Sequence, residues 1–276
     1  MPQIPHLTLN NGVSIPQLGF GVFQVPPEET QRIVEDALEA GYRHIDTAAA
    51  YRNEAGVGAA IAASGIPREE LFITTKLRNG EQGNAHGAFQ NSLLALGLDY
   101  VDLYLIHWPV PSQGLYTKAW KALEKVYGDK EARAIGVSNF LESHLDTLLA
   151  AADVVPAVNQ IEVHPTFQQA ALAEKSRSLG IAVEAYSPLG QGGDLQSSTV
   201  TALAQERNAT PAQIILAWHL ATGTIAIPKS STPDRMQENL AAASITLDAA
   251  AVASINALED GSRVGGDPAT AAHSQL

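Results

Sequence analysis

The sequence predicts an α/β fold, a single (β/α)8 TIM barrel over residues 1–276 with an N-terminal β-hairpin and extra C-terminal helices. Three observations carry this. Short apolar runs of strand length alternate with helix-like segments, as parallel strands buried on both faces require. No linker-like break interrupts the series. A doubly wound dinucleotide domain should show G-x-G-x-x-G after its first strand, and Gly19-Phe20-Gly21-Val22-Phe23-Gln24 does not fit.

The elements follow in order. Residues 7–15 read as a hairpin around Asn11-Gly12, amphipathic and suited to cover the barrel floor. The first strand spans 17–21. Pro26 and Pro27 open a helix to residue 40, stopped by Gly41. Strand 42–47 leads to helix 54–64, stopped by Gly65. Strand 71–76 leads to helix 85–96, stopped by Gly97. Strand 101–107 precedes helix 116–127, strand 134–137 precedes helix 141–151, and strand 157–160 precedes helix 168–179, stopped by Gly180. Strand 181–185 is followed by helices 199–207 and 211–221. Strand 224–227 is the last, and helices 233–243 and 248–258 close the series. The tail 261–276, rich in Gly, Ala and Ser, reads as mobile.

Composition narrows the function. The 276 residues include 29 Asp and Glu against 17 Lys and Arg, a net charge of −12. Such an acidic surface argues against nucleic acid and anionic membrane as partners. The chain has no cysteine, which removes disulfides and thiolate metal sites and suits a cytoplasmic protein. Met1-Pro2-Gln3-Ile4-Pro5-His6 lacks a basic and an apolar leader region. No apolar run approaches the length of a membrane span.

Four residues stand at strand ends: Asp46, Lys76 and His107, with Tyr51 in the loop after Asp46. Parallel barrel strands gather their C-terminal ends, and catalytic residues sit on that face. An ammonium beside a phenol favours phenolate, so the set is a proton-transfer device. Each has a plainer reading. Asp46 and Lys76 could be a buried ion pair plugging the barrel, since buried charges are normally paired. Tyr51 alone would be a surface aromatic, His107 a satisfied core histidine, and Trp108-Pro109 a packing corner. Together at one mouth the four favour function, because a plug needs neither Tyr51 nor His107. Ser138, Asn139 and Gln160 end two later strands and could cap helices. Ser231, Thr232 and Pro233 form a helix start, which caps the helix and is also an anion site.

Several motifs occur in the order of a known family. They are Gly41-Tyr42-Arg43-His44-Ile45-Asp46-Thr47-Ala48 with Tyr51, Ile73-Thr74-Thr75-Lys76-Leu77, and Asp102-Leu103-Tyr104-Leu105-Ile106-His107-Trp108-Pro109. Gly136-Val137-Ser138-Asn139-Phe140, Asn159-Gln160-Ile161-Glu162-Val163-His164-Pro165 and Ile227-Pro228-Lys229-Ser230 follow. With these the chain resembles the aldo-keto reductases from residue 7 to about 268. Residues 56–66 and 188–192 are similar to the bacterial 2,5-diketo-D-gluconate reductases.

The resemblance implies NADPH-dependent reduction of a small carbonyl substrate to an alcohol by a monomeric enzyme that uses no metal. Tyr51 is then the general acid, Lys76 stabilises its phenolate, Asp46 holds Lys76, and His107 orients and polarises the carbonyl. Ser138, Asn139 and Gln160 hold the nicotinamide carboxamide, and Tyr186, where several relatives carry Trp, stacks on its ring. Ser187, Leu189 and Gln191 also contact the dinucleotide. Lys229, Ser230, Ser231, Thr232 and Arg235 take the 2′-phosphate, and Glu238 and Asn239 the adenine. Phe23, Tyr51, His107 and Trp108 line the substrate site. Arg78 stands where the family often has Trp; facing the mouth it would draw carboxylated substrates, facing solvent it has no such role. Two rivals are a non-enzymatic dinucleotide-binding or regulatory relative, and a barrel aldolase using Lys76 as a Schiff base.

Overall fold

The computed structural model describes residues 3–273. Residues 1–2, part of the N-terminus read as lacking a leader, and 274–276, the end of the tail read as mobile, lie outside the described residues. Strand β1 (His6–Thr8) pairs antiparallel with β2 (Ser14–Pro16). The Leu9 N–H donates to the Val13 carbonyl at 2.8 Å and closes the turn. Leu9 and Ile15 pack on Phe72, Leu103, Leu105, Val158 and Ile225 inside the barrel, so the hairpin covers the floor as expected.

The barrel strands are β3 (Phe20–Gly21), β4 (His44–Asp46), β5 (Phe72–Leu77) and β6 (Val101–Ile106), then β7 (Ala132–Ser138), β8 (Val158–Glu162), β9 (Ala182–Tyr186) and β10 (Ile225–Ala226). They lie side by side in chain order in one eight-stranded sheet, every pairing parallel. The first strand is shared between two neighbours. Phe20 and Gly21 pair with β4, while Leu18 forms a parallel bridge with Ala226 and closes the sheet. The Gly19 N–H donates to Ala226 O at 2.9 Å and the Ala226 N–H to Gln17 O at 2.8 Å.

Helices α1 (Pro27–Ala40), α2 (Glu54–Ser64), α3 (Ala85–Leu96), α4 (Tyr116–Gly128), α5 (Glu142–Leu149) and α6 (Ala170–Ser178) follow the strands β3 to β8 in turn. After β9 come α7 (Ser198–Glu206) and α8 (Pro211–Ala221), and after β10 come α9 (Pro233–Ala241) and α10 (Ala249–Asn256). Their apolar stripes, such as Ile33, Val34, Ala37 and Leu38 of α1, join a continuous core against the outer face of the sheet. Thr210 and Gln213 form a reciprocal capping box that starts α8. Among the described residues no helix is long and apolar enough to cross a membrane.

The start of one helix shifts for a local reason. Helix α6 begins at Ala170 rather than at 168, because Gln169 takes a left-handed φ of 49° and its side chain bonds the Glu162 carbonyl at 2.6 Å. The described part of the tail is fixed, contrary to expectation. The Val264 and Gly265 N–H groups donate to the Glu162 carboxylate, Arg263 lies over the Phe167 ring, and Asn79 Nδ2 donates to the His273 carbonyl at 2.9 Å.

Helices α2 and α3 are packed tightly at Gly58, where an added Cβ would lie 2.1 Å from the Leu96 carbonyl oxygen. Gly58→Ala gains about 1 kcal/mol of helix propensity. It must also displace a backbone, and overpacking costs about 1–3 kcal/mol. The clash is with a carbonyl held in α3, so the variant should be net destabilised. Urea unfolding monitored by circular dichroism checks this, and a raised midpoint would contradict it.

Candidate active site

Asp46 ends β4, Lys76 is the next-to-last residue of β5 and His107 follows β6, so the parallel strands deliver all three to one end of the barrel. Tyr51 arrives on the short 3-10 turn Ala49–Tyr51. Lys76 is fully buried. Its Nζ donates to Asp46 Oδ1 at 2.6 Å, to the Thr47 carbonyl at 2.9 Å and to the Tyr51 hydroxyl at 3.3 Å. The Tyr51 ring stands edge-on to His107, centroids 5.6 Å apart, and packs on Phe23 at 5.1 Å. The four expected residues therefore meet.

Their charges follow from burial and proximity. Burial works to lower Lys76, but Asp46 and Tyr51 outweigh it and hold the ammonium above its ordinary value. A Schiff-base lysine needs the opposite. Burial pushes the Tyr51 phenol up, and Lys76 offsets only part of this, so Tyr51 keeps its proton near neutral pH. Burial, then Lys76, then His273 push His107 well below its ordinary range, leaving a neutral imidazole. The site holds one phenolic proton beside a fixed ammonium and an uncharged ring.

Ser138, Asn139, Gln160 and Tyr186 gather next to this set. Gln160 Nε2 donates to Asp46 Oδ2 at 2.8 Å and Glu184 Oε2 at 3.0 Å, so the side-chain oxygen Oε1 is the polar atom of that amide left over. Ser138 Oγ donates to the main-chain carbonyl of Gln160 at 2.9 Å. Asn139 Nδ2 donates to the His107 carbonyl at 2.9 Å and to Ser138 Oγ at 3.1 Å. The Tyr186 hydroxyl donates to Asn139 Oδ1 at 2.7 Å. The cluster assembles as expected, with its donors turned to groups of the protein.

Lys229, Ser231, Thr232 and Arg235 are exposed around the start of α9, and Ser230 is buried beneath them. Thr232 makes no capping bond with its side chain, and Ser230 Oγ accepts the Thr232 N–H at 3.1 Å. Among the described residues neither Lys229 nor Arg235 joins an ion pair. Glu238 accepts from Thr210 Oγ1 at 2.7 Å, and Asn239 is buried within α9. Ser187 and Gln191 both have left-handed backbone, and Leu189 between them is partly buried against the core. Trp108 is nearly buried, its edge against the His273 ring at 5.1 Å. Arg78 pairs with Glu81 at 3.3 Å, which spends part of its charge.

Five titratable residues given no role from sequence matter here. Glu162, which binds the tail, also contacts His164 Nε2 at 3.2 Å, and His164 Nδ1 contacts Asp194 Oδ2 at 2.8 Å. Thr166 donates to Asp194 Oδ1 at 2.8 Å, and its carbonyl accepts from residues 260–262. Gly190 lies so close that an added Cβ would be 2.6 Å from Asp194 Oδ2. One imidazole thus ties the loop 190–194 to the tail. Burial opposes charge on all three groups, but the two carboxylates raise His164 to about 9 and are themselves held below their ordinary values. The other two, His44 and Glu184, are fully buried inside the barrel below Asp46. Charged residues in otherwise apolar strands were the available signal.

The family model for the aldo/keto reductase family matches residues 17–201 and 194–260. An aldo-keto reductase of Mycobacterium sp. (strain KMS) is 51% identical over 268 residues, 96% of this chain and 97% of the relative. Morphine 6-dehydrogenase of Pseudomonas putida is 48% identical over 279 residues, 96% and 94% respectively. The crystal structure of a Gox0644 mutant in complex with NADPH superposes with a TM-score of 0.94 at 41% identity, covering 98% of this chain and 99% of that one.

The buried imidazole sets a pH dependence. His164 is raised, so its contribution to stability is complete below its ordinary value near 6.5 and is lost as pH rises through about 9. The melting temperature should fall between pH 7 and 9.5, and His164→Gln should flatten that fall. Parallel curves for parent and variant in differential scanning calorimetry would contradict it.

Proposed function

The chain belongs to the aldo/keto reductase family, and on that premise we propose that it reduces aldehydes and ketones to alcohols with NADPH, with Tyr51 as general acid. One observation carries the reading. Tyr51 is a phenol kept protonated by burial, in contact with the Lys76 ammonium and edge-on to a neutral His107. We read residues 1–276 as one barrel domain, a cytoplasmic monomer, and keto-sugar acids as one substrate group.

The residues present suit the cofactor. Among the described residues the start of α9 has two cations outside any ion pair and no side-chain cap from Thr232, which suits a phosphate ester. The Gln160 side chain has only its amide oxygen left, which suits an amide N–H. We assign Ser138, Asn139, Gln160 and Tyr186 to the nicotinamide end, and Ser187, Leu189 and Gln191 to the middle of the dinucleotide. Lys229, Ser230, Ser231, Thr232 and Arg235 take the 2′-phosphate, and Glu238 and Asn239 the adenine. The cofactor, when bound, supplies the hydride.

The chain's own residues handle the proton. His107 donates a hydrogen bond from its neutral ring, which orients and polarises the substrate carbonyl. Tyr51 gives its proton to the carbonyl oxygen. Lys76 then faces a phenolate at 3.3 Å and stabilises it, while Asp46 keeps Lys76 in place. Phe23 and Trp108 offer apolar surface to the substrate, and exposed Phe23 can cover the mouth.

Tyr51→Phe removes the acid and leaves the ring. Reduction of a good aldehyde, followed by NADPH absorbance, should slow by about 10²–10⁴-fold while NADPH still binds. Parent-like turnover in the purified variant would refute the assignment of Tyr51. Arg235→Ala should weaken NADPH about ten- to hundredfold more than NADH, because a charged hydrogen bond contributes about 1.5–3 kcal/mol. Fluorescence titrations of both dinucleotides check this, and equal weakening would reject the phosphate site.

A further inference from the structure

None of the roles assigned to Asp46, Tyr51, Lys76 and His107 uses Glu184, yet it lies directly beneath them. Glu184 sits in β9 with no solvent exposure. Its Oε2 accepts one N–H of the Gln160 amide, and the other N–H of that amide goes to Asp46. A single carboxamide therefore spans two carboxyl groups. Glu184 Oε1 is buried without a hydrogen-bond partner among the described residues, and it faces His44 Nε2 at 3.5 Å.

The neighbours fix which partner is lacking. His44 Nδ1 lies 3.3 Å from the Pro16 carbonyl, which can only accept, so Nδ1 carries the hydrogen. Nε2 of the neutral ring is then a lone pair, within 3.3 Å of the Thr74 hydroxyl. A lone pair facing an anionic oxygen leaves that oxygen nothing to accept, even where the Thr74 hydroxyl serves the ring. A proton between them satisfies both.

We propose that Glu184 is a positioning residue for proton transfer: a buried carboxyl kept neutral, its O–H turned to His44, so that Asp46 is the single anion beneath Lys76 and Tyr51. Burial holds His44 at about 4, so the ring does not take the proton near neutral pH. Burial and then Asp46 raise Glu184 to about 8. The charged and titratable groups facing it are His44 and Asp46 on β4, Tyr51 on the turn after β4 and Lys76 on β5; Gln160 on β8 and Ile225 on β10 are uncharged, and Asp102 on β6 acts on His44.

The consequence has a definite sign. An ionised Glu184 raises both Tyr51 and Lys76. Tyr51 becomes a weaker acid, and its proton passes less readily to the substrate oxygen. Carbonyl reduction should therefore decline as Glu184 ionises. The kinetic part of this rests on the reductase reading; the buried proton does not.

The test has two arms. In the cofactor-free protein, infrared spectra from pH 6 to 10 should show a protonated-carboxyl band that is lost near pH 8 and missing in Glu184→Gln. Glu54 is another buried carboxyl raised by burial, so Glu54→Gln, which should keep the band, is the second variant and decides the matter if Glu184→Gln does not fold. In the second arm, kcat/KM of the parent should fall about tenfold between pH 7 and 9, since one unit above its value a carboxyl is nine-tenths ionised, and about threefold or less in Glu184→Gln. A band that survives in Glu184→Gln or vanishes in Glu54→Gln overturns the proposal, as do superimposable pH profiles. A band that behaves as stated, in a parent that reduces no carbonyl compound, would instead defeat the reductase reading.

Discussion

Lys76 carries its charge in the interior of the barrel, and the rest of the site is arranged around that charge. An unpaired ammonium there would be prohibitively costly. Asp46 at 2.6 Å, the Thr47 carbonyl and the Tyr51 hydroxyl meet it. A buried ion pair is weak evidence for stability, because desolvation cancels much of the attraction. Here the pair does something a hydrocarbon plug could not. It fixes an ammonium against a phenol that burial alone would make a very poor acid.

The layers above and below complete that arrangement. Gln160 anchors the free oxygen of Asp46, and its second N–H reaches Glu184. His107 and His44 are both driven neutral by burial. The interior thus contains many titratable groups and few net charges. Under this arrangement the Tyr51 hydroxyl keeps its proton beside the Lys76 ammonium. The acidic surface contributes little to that balance, since exposed charges are screened within about 10 Å at 0.1 M salt.

Backbone strain is concentrated on the same rim. Val110, Asn139, Ser187 and Gln191 all have left-handed φ despite carrying side chains, and each lies just past the C-terminal end of a barrel strand. Such residues cost on the order of 1–3 kcal/mol each and persist only where their surroundings enforce them. Asn139 shows how: its side chain is held by the His107 carbonyl, Ser138 and Tyr186 at once. The rigid strands below allow loops above them to keep conformations that a free peptide would abandon.

The parts of this arrangement legible in the sequence were those set by local pattern. Apolar runs marked the strands, and Asp46, Lys76 and His107 stood out because they ended those runs. The hairpin was legible from Asn11-Gly12 and its amphipathic flanks. Glu184 and His44 were not, because their significance depends on which strands become neighbours and how far each is staggered. Closure of that ring of strands runs through Leu18 and Ala226, a contact between distant segments. The tail shows the same limit. Its Gly, Ala and Ser content says correctly that it builds no core of its own, but its N–H groups find a carboxylate 102 residues away. Composition reports what a segment can bury, whereas its order depends on what the rest of the fold presents to it. In a closed barrel, much of what is presented comes from polar residues held inside strands, so these are the residues whose roles emerge last from a one-dimensional reading.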